Sequence, residues 1–87
     1  MNPDTSLVGK KIRQIREAMG LSRPKFAELL QVPPTTLKNY ELGYREVGGA
    51  FLVALAQHPE LHRFTLWLLS DQTIESVGQI SPEQIAE

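Results

Sequence analysis

The chain has 87 residues, no cysteine, nine Lys and Arg against ten Asp and Glu, and 41% apolar residues. That length sets one small domain whose core is thin, since such chains bury only about 60% of their unfolded surface. The missing cysteines exclude disulfides and thiolate metal sites, and the longest apolar runs, such as "FLVALA", are too short to cross a bilayer.

The start, "MNPDTSLVGKK", lacks the basic, apolar and small-residue order of a secretory leader, so a cytoplasmic protein with no membrane contact is expected. The net charge of −1 conceals a split. Residues 1–45 carry eight Lys and Arg against four acids, a balance of +4. Residues 46–87 carry Arg63 alone against six acids, a balance of −5. Such asymmetry suits a basic half that meets a polyanion and an acidic half that faces elsewhere.

In chain order, Leu7 or Val8, Ile12, Ile15 and Met19 recur at steps of three and four and predict a first helix, stopped by Gly20. Ser22 then reads as the cap of a short second helix, with Pro24 in its first turn and Phe26, Ala27, Leu29 and Leu30 facing inward. "QVPP" leaves only a few residues before the third helix, the length of a helix-turn-helix connection, with Val32 as the apolar residue of the turn. Pro34 fits the first helical position, Leu37 and Tyr40 form the buried side, and Gly43 ends the third helix. "GYREVGG" is a loop by its glycines, followed by a fourth helix over about 49–57. Pro59 separates this from a fifth, about 60–69, carrying Leu61, Phe64, Trp67 and Leu68. In the tail, "TIESV" alternates weakly and can form a short strand; "SPEQIAE" reads as a helical turn capped by Ser81 with Pro82 first. A lone strand lacks a partner on a monomer, so the tail is the expected dimerisation segment. The expected fold is thus all-α, with five helices in a domain of residues 1–70 and a tail of residues 71–87.

From Leu21 onward, "LSRPKFAELLQVPPTTLKNYELGYR" resembles the phage-repressor and Cro-like helix-turn-helix family, of small phage or prophage regulators. The resemblance covers about residues 8–57. It rests on Leu-Ser before the second helix, Phe26-Ala27 within it, Val32 in the turn, Leu37 in the third helix and "YE-x-G" at its end. It implies a lambda-repressor-like fold whose third helix enters the major groove of double-stranded DNA while the second crosses the phosphate backbone. Carried over by position, Pro34, Thr35, Thr36, Lys38 and Asn39 face the bases, and Arg23, Lys25, Tyr44, Arg45 and Lys10 face phosphates. Asn pairs bidentately with adenine, and threonine methyls suit thymine methyls. Arg16 and Glu41 match a partly buried ion pair that holds the third helix to the first. The family usually caps its third helix with Ser or Thr and often reads bases with Gln next. Pro33 and Pro34 stand there instead, which shifts specificity toward Asn39, the threonines, apolar proline contacts and DNA shape.

The resemblance therefore implies a homodimeric transcriptional repressor, and the unpaired tail with the lone Trp places its dimer contact at Trp67, Ile74, Val77 and Ile80. No cofactor is expected. A reading from a different class is an antitoxin-like or adaptor module whose acidic half holds a partner protein, which predicts co-purification with that partner. His58 and His62 are four apart, as helical metal ligands can be, but Pro59 interrupts them and no cysteine completes a set. Lys11 and Arg13, like Lys10, serve either as solvated charges or as phosphate contacts at the duplex flank. No nucleophile with a nearby base, phosphate-cradling glycine loop or carboxylate cluster argues for an enzyme.

Overall fold

The structure, a computed structural model, describes the backbone of residues 3–86 and the side chains of residues 7–85. Its helices in order are α1 Pro3–Ala18, α2 Arg23–Leu29, α3 Pro34–Glu41, α4 Gly49–Gln57, α5 Thr65–Ser70 and α6 Glu83–Ala86, with 3-10 turns at His62–Phe64 and Glu75–Val77. The all-α helix-turn-helix fold expected from the sequence is the one found, and α6 lies where the sequence predicts a helical turn in the tail.

Helix α1 begins at Pro3, earlier than its apolar stripe required. Of the two candidates for the first inward position Val8 takes it, packing on the core, while Leu7 is 53% exposed. The first three helices end in the same way. At each, the left-handed residue donates back three positions and its successor donates back five: Gly20 to Glu17 and Leu21 to Arg16, Gln31 to Glu28 and Val32 to Ala27, Gly43 to Tyr40 and Tyr44 to Asn39. This is the Schellman turn, which satisfies carbonyls that a helix end would otherwise leave bare. Gly20 and Gly43 adopt its left-handed conformation freely, whereas Gln31 does so at φ 57°, a strain of about 1 kcal/mol for a residue with a Cβ. The turn between α2 and α3 therefore carries no glycine to announce it.

The expected fifth helix is shorter than its apolar pattern. After Pro59, bonds from Leu61 to His58 and from Phe64 to Leu61 wind the chain as a 3-10 turn, and α-helix resumes only at Thr65. The three-residue repeat puts Leu61 and Phe64 on one side, and both are fully buried. The ring of His58 accepts from the Glu60 N–H at 3.1 Å, and His62 Nδ1 lies 3.0 Å from the Pro59 carbonyl, so both imidazoles face this turn.

The tail corrects a second expectation. "TIESV" forms no strand: Ile74 and Gln79 exchange two backbone bonds of 2.9 and 3.1 Å around a 3-10 turn, and Gly78 at φ 79° folds the chain back before a strand can extend. The Gln79 amide holds this knuckle in place, accepting from the Leu66 N–H and donating to the His62 carbonyl. Ile80 donates to the Arg63 carbonyl at 2.8 Å, and Ile80 and Ile85 pack on the core beside buried Pro82. At Ser81 the capping bond runs the opposite way to the one expected, its N–H donating to Gln84 Oε1 at 2.7 Å.

The core joins Ile12 and Ile15 of α1, Phe26, Ala27 and Leu30, Leu37 and Tyr40 of α3, Phe51 and Leu55 of α4, and Leu61, Phe64 and Leu68. Tyr40 meets Phe51 edge to face at 5.1 Å, fixing the end of α3 against α4. Lys11 is a structural residue. Its ammonium, with the side chain 15% exposed, donates to the Trp67 carbonyl at 3.0 Å, pairs with Asp71 and lies 4.9 Å from the Trp67 ring. A cation there is favoured by the negative, C-terminal end of the α5 dipole.

Candidate nucleic-acid interface

Helix α3 begins with two residues that have no N–H to donate. Pro33 is the cap, extended at φ −62° and ψ 143°, and Pro34 is the first helical residue. An α-helix leaves its first four N–H groups without intrahelical partners. Here two of the four do not exist, and a third, that of Thr36, donates to the Pro33 carbonyl at 3.0 Å. The twin prolines thus solve by subtraction what a serine or threonine cap solves by hydrogen bonding, and no side-chain cap bond is made. They also fix φ through the first turn.

Leu37, Tyr40 and Glu41 form the buried face of α3. The opposite face carries Thr35 and Lys38, both exposed, with Thr36 and Asn39 half-buried beside them. Among the described residues no hydrogen bond to the Asn39 amide side chain is found. The Asn39 carbonyl receives the N–H groups of both Tyr44 (2.9 Å) and Arg45 (3.2 Å), so the following loop is tied to the same residue. Tyr44 is 75% exposed, and the Arg45 guanidinium lies 5.8 Å from the Tyr40 ring. Lys25 on α2 and Lys10 on α1 are exposed.

Beneath this surface lies an ion cluster. Glu41, whose side chain is fully buried, accepts from Arg16 twice, Nε to Oε2 at 2.8 Å and Nη2 to Oε1 at 3.1 Å. Arg16 Nη1 donates to the Leu21 carbonyl at 3.0 Å, which ties the α1–α2 turn into the same cluster. Arg23 joins as a third member, Nε to Glu41 Oε1 at 3.0 Å. The hydrogen bonds to Glu41 raise the Arg16 guanidinium above its ordinary pKa, against the opposing effect of burial. The sequence assigns Arg23 to phosphate by resemblance; in the structure its Nε is a partner of Glu41.

One residue that organises the site escaped the sequence reading. Gly9 of α1 is buried against the end of α3, where an added Cβ would lie 2.0 Å from the Tyr40 carbonyl oxygen. Gly9, Ile12 and Arg16 lie along one stripe of α1 at steps of three and four, and Gly9 and Arg16 both face Tyr40–Glu41. A glycine inside a helical pattern costs about 1 kcal/mol against alanine, a signal that packing requires it.

A helix-turn-helix family model matches residues 12–63, more than half of the chain. The chain belongs to the phage-repressor and Cro-like helix-turn-helix family. Repressor protein C of Escherichia phage P2 is 32% identical over 78 residues, which cover 90% of this chain and 79% of that protein. An uncharacterized HTH-type transcriptional regulator of Rickettsia conorii is 38% identical over 52 residues, 60% of this chain but only 42% of the relative. Within the family frame, α2 and α3 are the helix-turn-helix pair.

The residues assigned to dimerisation divide. Ile74 and Val77 are exposed on the knuckle, at 49% and 69%, and Leu69 on α5 is exposed too. Trp67 and Ile80 instead pack against the protein's own core. Among the described residues, no helix is long and apolar enough to cross a membrane.

Proposed function

We propose that this protein is a sequence-specific DNA-binding transcriptional repressor that acts as a homodimer and places α3 in the major groove. Family membership and the repressor and regulator relatives support a DNA-binding transcriptional regulator. The observation that carries the finer reading is the division of α3. One face is anchored by Leu37, Tyr40 and the Glu41 cluster, and the other offers Thr35, Lys38 and Asn39 to a duplex. Base readout falls to Asn39, Thr35, Thr36 and Lys38, with Pro34 giving apolar contact. Phosphate contacts fall to Arg23, Lys25, Tyr44, Arg45 and Lys10. Two copies would read half-sites about 10 base pairs apart, centre to centre.

Asn39→Ala is expected to weaken binding at the cognate site by about 1–3 kcal/mol while leaving affinity for random DNA nearly unchanged. Footprinting on DNA from the protein's own locus, followed by titration of both duplexes, measures this. An equal loss on both would remove Asn39 from base readout.

For the dimer, the exposed knuckle residues Ile74 and Val77 are the proposed contact. The tail's role is association, even though its packing is shared with the rest of the fold. Replacing Ile74 and Val77 together by Asp leaves the core intact, unlike removal of the tail, which strips Ile80, Pro82 and Ile85 from it. The double variant is expected to sediment as a monomer and to lose operator affinity about a hundredfold or more, because the two half-sites no longer act together. A persisting dimer would remove the knuckle from the contact.

A further inference from the structure

We propose that Glu41 orients Arg23 for a phosphate, so that one buried carboxylate both anchors the recognition helix and aims a backbone-binding guanidinium beside it. This rests on the DNA-binding reading above and assigns Glu41 a positioning role within it. Two arginines meet one carboxylate, and the cluster keeps one positive charge in excess. The excess lies on the Arg23 side: the Arg23 side chain is 30% exposed, against 12% for Arg16 and none for Glu41. Arg16 spends all three nitrogens inside the protein, on Glu41 and the Leu21 carbonyl. Arg23 spends Nε alone, and no hydrogen bond of its two terminal nitrogens is found among the described residues.

A guanidinium is planar, so fixing Nε on a rigid, buried acceptor fixes the direction of the remaining fork. That fork matches two phosphate oxygens. Holding it in advance removes part of the ordering cost a free surface arginine would bear on binding. A lysine at the same position keeps the charge but is a compact cation on a flexible stem, without the planar fork and without the Nε–H that docks on Glu41.

The experiment compares wild type, Arg23→Lys and Arg23→Ala on a mixed-sequence duplex across a salt series, with melts to establish that each variant is folded. Arg16 alone still gives Glu41 a two-point contact, so both variants are expected to fold. Arg23→Ala is expected to lower the slope of log affinity against log salt by about 1. Arg23→Lys is expected to keep the slope yet lose affinity about three- to tenfold, because the charge remains while the orientation is gone. In wild type without any substitution, the Arg23 Nε proton is expected to exchange slowly with solvent by NMR, before and after DNA is added. Lysine binding as well as arginine, or an Nε proton exchanging as fast as that of exposed Arg45, would overturn the positioning role while leaving DNA binding intact. Wild type that binds no duplex at low salt would overturn the functional reading itself.

Discussion

Glu41→Ala is expected to lower the free energy of unfolding by about 3–5 kcal/mol, measured by urea denaturation of the DNA-free protein. Removing one side of a buried ion pair leaves the other charge without compensation, and here two guanidinium groups are left. A domain of this size has a total stability of about 4–13 kcal/mol, so this one loss consumes a large part of it. The melting temperature should fall by about 15 °C or more. Folding is thus lost before any DNA contact is touched directly, since Glu41 itself is buried. Replacing Arg16 and Glu41 together by Met is expected to cost much less than the sum of the single changes, because only the partly exposed Arg23 then loses a partner. A Glu41→Ala protein that melts within about 1 kcal/mol of wild type would show that the cluster does not anchor α3.

The pH dependence of this anchor follows from the direction of the Arg16 shift. A cation whose pKa is raised on folding contributes fully below its unfolded value and loses that contribution only as pH climbs through the folded value. For Arg16 that window lies above the ordinary guanidinium range. Between about pH 6 and about pH 10 the Arg16 contribution should therefore stay constant.

Gly9→Ala is expected to destabilise the protein by about 2–3 kcal/mol net, although alanine is the better helix former by about 1 kcal/mol. The added Cβ would meet the Tyr40 carbonyl oxygen at 2.0 Å and the carbonyl carbon at 3.0 Å. Both are backbone atoms, so no side-chain rotation relieves the clash and α1 must separate from α3. That separation also pulls Arg16 away from Glu41, two turns further along the same stripe, and α3 loses both attachments together. Gly49→Ala is the matched control. It makes the same chemical change in a helix with nothing within 4 Å of the new Cβ, and should be neutral or slightly stabilising. Thermal melts of the two variants decide the matter. A Gly9→Ala protein as stable as Gly49→Ala would mean that α1 and α3 do not approach this closely.

Much of the architecture is set by local chemistry and therefore readable along the chain. The three- and four-residue spacing of Ile12, Ile15, Phe26, Leu37, Tyr40, Phe51 and Leu55 determines helices and their inward faces, because a helix with one apolar stripe has only one way to bury it. Gly20, Ser22, Pro34 and Gly43 mark helix ends by backbone conformation, an interaction within a few residues. The outward set on α3 follows from the same periodicity. What the chain order does not contain is distance between segments. Lys11 reads as either a solvated or a phosphate-facing cation until the end of α5 brings the Trp67 carbonyl to it. Arg23 looks solvent-directed until the end of α3 places Glu41 beneath it. Gln31 turns left-handed because the packing of α2 on α3 outweighs its own preference, and "TIESV" becomes a knuckle because Gln79 finds backbone partners at His62 and Leu66. Periodicity and capping act over a few residues and are written in the order of amino acids; charge pairing and close approach act through space, and only the folded chain decides them.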